Sequence, residues 1–417
     1  MQRGVDVAIV GGGVMGCGLA WRLGERGLRV AVLERERPAA EASSAAAGIL
    51  AAQIEMPGPS PLLDLALCSR GLYPAWADAL YEQTGLHIGY RVDGALLLVG
   101  AGKKTSDRSV AEELVELSVR QKWQQSRGLR VNWLDSAALR ELEPGLVESA
   151  GALYFPDDGQ VEPTLLCAAL AEAAARRGAQ FIRATVERIE SANGRVLGLS
   201  LVPADGTAPR QLAADRVVLC AGSWSAKIEG SSLGPQAVEP VRGQMLELRC
   251  GPGALRRVIF GQTPALALPA LAGGAAPLHG YLVPRGDGRV LVGSTMERVG
   301  FVKEVTAAGL FKLLTLAQSL SPALHDATVS RTWSGLRPGS PDELPILGAT
   351  KIAGLYVCTG HFRNGILLAP ASIEALSALI VGDGASAGHG DAGDGWSLAR
   401  GLDLAPFSPS RLDRMVT

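Results

Sequence analysis

The sequence predicts a mixed α/β chain in which a dinucleotide-binding domain is interrupted by a second, antiparallel domain. Three observations lead there. The chain opens with a strand, a glycine-rich turn, a helix and a second strand. Glycine-rich elements return in the middle and near the end. Between them lie short alternating segments typical of antiparallel strands.

The opening unit is read first. Residues 5–10 are rich in Val and Ile and predict a buried strand. Gly11-x-Gly13-x-x-Gly16 follows, and 17–26 reads as a helix. Gly11 permits the tight turn, Gly13 lets a diphosphate approach the backbone, and Gly16 lets the helix pack close to the strand. Residues 28–33 form a second strand ending at Glu34, where a ribose-binding carboxylate belongs. A carboxylate there disfavours a 2′-phosphate, and so NADP, but does not separate FAD from NAD.

Helical periodicity marks 62–83, 109–125, 135–143, 164–177, 310–319 and 366–381. Residues 90–99 read as a strand pair around Asp93-Gly94. Strands are expected at 180–189, 195–202, 211–220, 240–249, 280–284, 289–293 and 355–359, with a hairpin turn at Gly286-Asp287-Gly288. Residues 382–395 read as a Gly/Ala/Asp-rich linker, and the tail with Pro406, Phe407 and Pro409 is expected to pack back on the body.

Composition narrows the function. The 417 residues are 47% apolar and can bury one or two cores. Lys plus Arg number 40 against 41 for Asp plus Glu, which gives no footprint for nucleic acid or a basic membrane patch. The six cysteines are scattered singly with no Cys-x-x-Cys, so reduced thiols are expected and no metal. No leader is visible before the first strand and no stretch reads as a convincing transmembrane helix, so the cytoplasm is the expected location.

Two later segments carry a family resemblance: Gly335-Leu336-Arg337-Pro338-Gly339 and Gly360-His361-Phe362-Arg363-Asn364-Gly365-Ile366-Leu367-Leu368-Ala369-Pro370. With them, with Ala45-Ala46-Ala47-Gly48, with Tyr281-Leu282-Val283-Pro284-Arg285 and with Val292-Gly293-Ser294-Thr295-Met296, the chain resembles the D-amino-acid oxidase (DAO) family of FAD enzymes, and within it the glycine oxidases of thiamine biosynthesis. The likeness runs from about residue 6 to about residue 381, nearly the whole chain in order.

The resemblance implies a glutathione-reductase-like Rossmann FAD-binding domain in three parts, 1–85, 151–230 and 335–382. A discontinuous antiparallel-sheet substrate domain takes 86–150 and 231–334, and 383–417 is linker and tail. It implies non-covalent FAD, since no cysteine follows the 360–365 loop. It also implies a small amino-acid substrate, molecular oxygen as acceptor, and a homo-oligomer, often a tetramer.

The resemblance assigns Gly11, Gly13, Val14, Met15 and Gly16 of the first turn to the cofactor, with Glu34 and Arg35 after the second strand. It adds Ser43, Ser44, Ala46, Ala47 and Gly48, then Val186, Ala221, Gly222 and Trp224. Arg337, His361, Arg363, Asn364, Gly365 and Ile366 complete the set. The 360–365 loop leads into a helix N-terminus, whose N–H groups would stabilise negative charge on a reduced flavin.

For the substrate it assigns Arg337 and Tyr281 to the carboxylate, and Arg363, Met296 and Ile49 to the pocket. Each has a plainer reading. Arg337 could pair with Asp342 or Glu343, Tyr281, Met296 and Ile49 could simply pack, and Arg363 could pair with a structural carboxylate. His279 is a weak candidate for the pocket mouth. No side chain is assigned as acid or base. An NAD-dependent dehydrogenase needs no third glycine element, so the 360–370 segment argues against one. Residues 263–278 look like an insertion relative to the family.

Overall fold

The structure is a computed structural model that describes residues 4–102, 108–204, 206, 210–262, 278–382 and 402–414. All but Leu278 of the expected insertion at 263–278, and all but Gly382 of the expected linker, lie outside the described residues.

Along the chain run β1 (Val5–Val10), α1 (Val14–Glu25), β2 (Val30–Glu34), α2 (Ala42–Ala45), β3 (Ile49–Leu50), α3 (Pro61–Thr84), β4 (Ala95–Val99), α4 (Arg108–Ser126), β5 (Asn132–Asp135) and α5 (Ser136–Leu142). There follow β6 (Gly151–Phe155), β7 (Gly159–Gln160), α6 (Pro163–Arg176), β8 (Gln180–Ala192), β9 (Arg195–Pro203), β10 (Gln211–Leu219), β11 (Glu239–Arg249) and β12 (Val258–Gln262). The last are β13 (His279–Pro284), β14 (Arg289–Gly293), α7 (Ala307–Leu320), β15 (Thr328–Gly339), β16 (Ile346–Ala349), β17 (Leu355–Thr359) and α8 (Gly365–Val381).

Two sheets organise these elements. In the first, β8, β2, β1, β10 and β17 lie side by side and parallel, with β16 antiparallel at the edge. Strand β9 turns back between β8 and β10 and closes them into a meander. The middle strands are apolar because both faces are covered: Val7, Ile9, Val32 and Val218 face the helices, while Ala8, Val217 and Leu219 face the meander. The second sheet has the order β15-β11-β14-β13-β12-β4-β6-β5, antiparallel except where β12 meets β4.

Local chemistry fixes the helix ends. Ser60 Oγ accepts from Leu63 N at 3.2 Å and Pro61 occupies the first turn, so α3 starts there; Gly85, at φ 75°, ends it. Gly382, at φ 76°, ends α8. The window Phe362–Val381 is long and apolar enough to cross a membrane by length and composition, but 72% of it is buried within the protein, as in the core helix of a folded domain.

The observed elements depart from expectation in several places. Helix α1 begins at Val14 because Gly13 itself is the N-cap. Residues 90–94 form no strand pair. Gly94 N donates to the Asp158 carbonyl, leaving only β4 and a single bridge between Arg91 and Gln160. By sheet membership, β6 (Gly151–Phe155) lies with the second sheet, since it pairs with β4 and β5, although 151 was the expected start of an FAD-binding part. Likewise β15 stays paired with β11 as far as Gly339, past the expected boundary at 334/335. The tail returns to the body: Phe407 is buried, and Arg411 pairs with Asp342 at 2.7 Å.

One polar cluster crosslinks the helical layer. Glu374 of α8 accepts from Arg22 Nε of α1 at 2.6 Å and from Trp76 Nε1 of α3 at 3.0 Å, and Arg22 stacks on Trp21 at 3.9 Å. Burial pushes the Glu374 carboxyl above its ordinary value, and Arg22 and Trp76 pull it back. Removing one member of a buried pair strands the other. Glu374→Ala should therefore cost about 3 kcal/mol or more in urea unfolding; a loss under about 1 kcal/mol would mean that the cluster is not a crosslink.

Candidate functional site

The C-terminal ends of β1, β2, β10 and β17 open onto a cavity of about 1210 Å³ that continues to the face of the second sheet. Such strand ends are where ligands of open α/β sheets bind.

At the first turn Gly11 has φ +105°, and a Cβ there would lie 2.5 Å from the Cys220 carbonyl. A Cβ on Gly16 would meet the Gly11 carbonyl at 1.9 Å. Gly16 does not line the cavity; its role is the close packing of helix on strand that the sequence motif requires. Gly13, Val14 and Met15 do line it, and the Val14 N–H donates to Ser43 Oγ at 3.0 Å. Glu34 accepts from the N–H groups of Gly12 (2.8 Å) and Glu36 (3.0 Å), which sets its carboxylate at the end of β2. Arg35 lies over the Trp224 ring at 3.9 Å and pairs with Glu41. Val186, Ala221, Gly222 and Trp224 share this wall.

Ala46, Ala47, Gly48 and Ile49 line the middle of the cavity. Trp333 Nε1 on β15 donates to the Ala45 carbonyl at 3.0 Å and ties this segment to the second sheet. Ser44 departs from expectation: it does not line the cavity, because its hydroxyl turns back to the Glu41 carbonyl.

The third glycine element follows β17. Gly360 (φ +72°) and Phe362 (φ 46°) turn the chain so that Asn364, Gly365 and Ile366 border the cavity at the start of α8. Among the described residues no side chain caps this helix, so its first N–H groups are available to a ligand. His361 is buried against Ser372 Oγ at 3.1 Å.

On the opposite wall, β15 carries Arg337 and β13 carries Tyr281. The Arg337 guanidinium donates to Ser294 Oγ at 2.5 Å and to the Thr295 carbonyl at 3.2 Å. It lies across Gly243, where a Cβ would be 2.2 Å from Nη1. Desolvation draws its pKa down; Tyr281 and Glu55 oppose this, and Arg363 adds to it. Arginine remains protonated through such shifts. Among the described residues no carboxylate pairs with Arg337: Asp342, the expected structural alternative, is held by Arg411 instead. Tyr281 reaches Met245 Sδ at 3.5 Å, and its ring fills the space over Gly293.

For Arg363 the structure shows the carboxylate pair and a place at the cavity wall. It borders the cavity, and it pairs with Glu55 Oε2 at 2.8 Å. Met296 borders the cavity although half exposed, Ile49 is part-buried there, and His279 stands exposed at the rim. Glu55, Thr295, Met245 and Gly243 were missed from sequence. Glu55 sits in an irregular turn with no motif, and the other three matter through neighbours on other strands.

The residues fit FAD. A glycine cradle at a helix N-terminus suits a diphosphate, and Glu34 suits a ribose. The second uncapped helix suits a ring that gains negative charge.

Burial draws the His361 pKa down from 6.5 to about 3. Above pH 6.5 the imidazole is neutral in both folded and unfolded chains. Below that, the unfolded chain takes up a proton that the folded chain refuses until about pH 3, so stability is lost as pH falls across this window. His361→Asn should flatten the acid limb of a Tm-against-pH profile; an unaltered limb would show that His361 does not control it.

A family model described as FAD dependent oxidoreductase, DAO, matches residues 6–379. The chain is 37% identical over 417 residues to glycine oxidase from Geobacillus kaustophilus, covering 99% of this chain and 98% of that relative. It is also 37% identical over 390 residues to the bifunctional protein ThiO/ThiG of Synechocystis sp., covering 91% of this chain but 52% of that relative. The crystal structure of glycine oxidase from Geobacillus kaustophilus matches with a TM-score of 0.83 at 35% identity, over 98% of each chain. Sequence, fold and cavity agree: the chain belongs to the DAO family of FAD-dependent oxidoreductases, and is an enzyme of FAD-dependent amino-acid oxidation.

Proposed function

We propose that the substrate is glycine or a similarly small amino acid. It is oxidised at Cα to an imine, which water hydrolyses to the 2-oxo acid (glyoxylate from glycine) and ammonia, with hydrogen peroxide formed from oxygen. The observation that carries this reading is the Arg337 guanidinium. It borders the cavity beside Tyr281, is held in place by Ser294 and Thr295, and has no carboxylate partner among the described residues. Identity to enzymes named glycine oxidase supports the size of the substrate. The ThiO/ThiG name of another relative fits the role in thiamine biosynthesis that the sequence resemblance implies.

Bound FAD supplies the chemistry of a two-electron acceptor for the Cα hydride, with molecular oxygen as the final oxidant. The protein's part is to place the substrate. A planar guanidinium grips a carboxylate through two parallel bonds, and Tyr281, which lines the same cavity, is the residue that would add a third. Fixing the carboxylate narrows the positions open to Cα, and this positioning lowers the barrier without an acid or base. His361 does not serve as one: it is neutral, buried and turned to Ser372. The substrate amine must shed its proton before hydride leaves, so turnover should rise with pH toward the pKa of the bound amine.

Oxygen uptake with glycine, sarcosine and D-alanine ranks the substrates; uptake with none of them would defeat the assignment. Arg337→Ala should raise KM for the best substrate about 100-fold, since two charge-assisted bonds are together worth roughly 3 kcal/mol or more. Flavin content should stay at the parent level. An unchanged KM would remove Arg337 from the carboxylate site.

A further inference from the structure

Arg285 follows β13 and is buried, yet the mechanism above does not use it. Its Nη2 donates to the Ala47 carbonyl at 2.6 Å, and its Nη1 donates to Gln160 Oε1 at 2.8 Å and to the Val161 carbonyl at 2.9 Å. The Val161 N–H donates in turn to the Gly48 carbonyl at 2.8 Å. Glu162 Oε1 lies 3.4 Å from Nε and also pairs with Arg289 at 2.9 Å. Burial draws the Arg285 pKa down to about 10, which leaves it charged at neutral pH. A charge so enclosed is costly to desolvate, and these three acceptors and Glu162 offset that cost while fixing the guanidinium in one place.

What it fixes is the backbone at Ala47 and Gly48, both of which line the cavity, while Arg285 itself does not. The carbonyl and N–H of a trans peptide point in opposite directions. With the Ala47 carbonyl held by Arg285, the N–H of Gly48 points away from the guanidinium, and Gly48 itself lines the cavity. Among the described residues no acceptor meets that N–H. The conformation is open only to glycine: Gly48 has φ +73°, and a Cβ would lie 2.1 Å from the Val161 carbonyl. A carbonyl that accepts from a guanidinium also makes its own amide N–H a stronger donor.

We propose that Arg285 is a positioning residue: by anchoring the Ala47 carbonyl it holds the Gly48 N–H toward bound FAD, where that dipole favours the reduced, negatively charged ring over the oxidised one. The proposal rests on the FAD that the family carries and on no choice of substrate.

The test uses the holoprotein with Arg285→Met, which keeps the apolar stem and removes the guanidinium. FAD dissociation constants are measured in the oxidised and reduced states, together with the midpoint potential. Affinity for reduced FAD should fall at least tenfold more than affinity for oxidised FAD, which is about 30 mV toward negative potential for a two-electron couple. If Arg285→Met fails to fold, Arg285→Gln carries the same comparison. A potential equal to that of the parent, even with a lowered Tm, would overturn the proposal and leave Arg285 a structural crosslink.

Discussion

The contact between Gly11 and the Cys220 carbonyl is the one on which the rest of the site depends. It joins the ends of β1 and β10, and Gly16 then packs onto the same turn. With no side chain at either position, α1 starts immediately at the strand end and its N-terminus faces the cavity. Strand β17 lies on the other side of β10, and its glycine loop brings α8 to the same opening. Two helix N-termini and the Glu34 carboxylate are thus aimed into one space by the parallel pairing of neighbouring strands. A side chain at Gly11 would push β10 away and carry Ala221, Gly222 and Trp224 with it.

The second sheet solves a different problem, which is to hold a charged group at the wall of a partly apolar cavity. Removing an arginine from water is unfavourable unless its donors find acceptors. Ser294 and Thr295 satisfy part of the guanidinium, and glycine at 243 gives it room to lie flat. The remaining donors have no protein carboxylate to meet among the described residues, which is the arrangement that the proposed binding of a substrate carboxylate requires. The Trp333 bond to Ala45 and the Arg285 bond to Ala47 tie this wall to the segment that lines the middle of the cavity, so the two walls share one frame.

How much of this was legible in the sequence follows from the range of each interaction. The glycine turns were readable because φ, spacing and helix start are local properties of a few residues. Strands such as β1, β8, β9, β10, β11, β14 and β17 were readable from alternation close to their true limits, whereas β5, β6, β7, β12, β15 and β16 were not expected. Sheet membership at 151–155 and 335–339 was not, because it depends on β4, β5 and β11, which are distant in the chain. The partners of charged residues were hidden for the same reason. Nothing near Arg363 indicates Glu55, nothing near Asp342 indicates Arg411, and nothing near Arg22 indicates Glu374. The fold could be read from patterns, whereas the exact anchoring of each side chain required the tertiary structure.

The flat seat under Arg337 also limits how the substrate range of this scaffold can be redesigned. Any residue larger than glycine at 243 collides with the guanidinium itself, so that position offers no route to a wider pocket. The apolar side chains of Ile49, Ile54 and Met296 border the same cavity and hold no charged group, although the Ile54 backbone meets Asp158 and Arg120. A mutant library aimed at bulkier amino acids should vary those three and leave the seat alone.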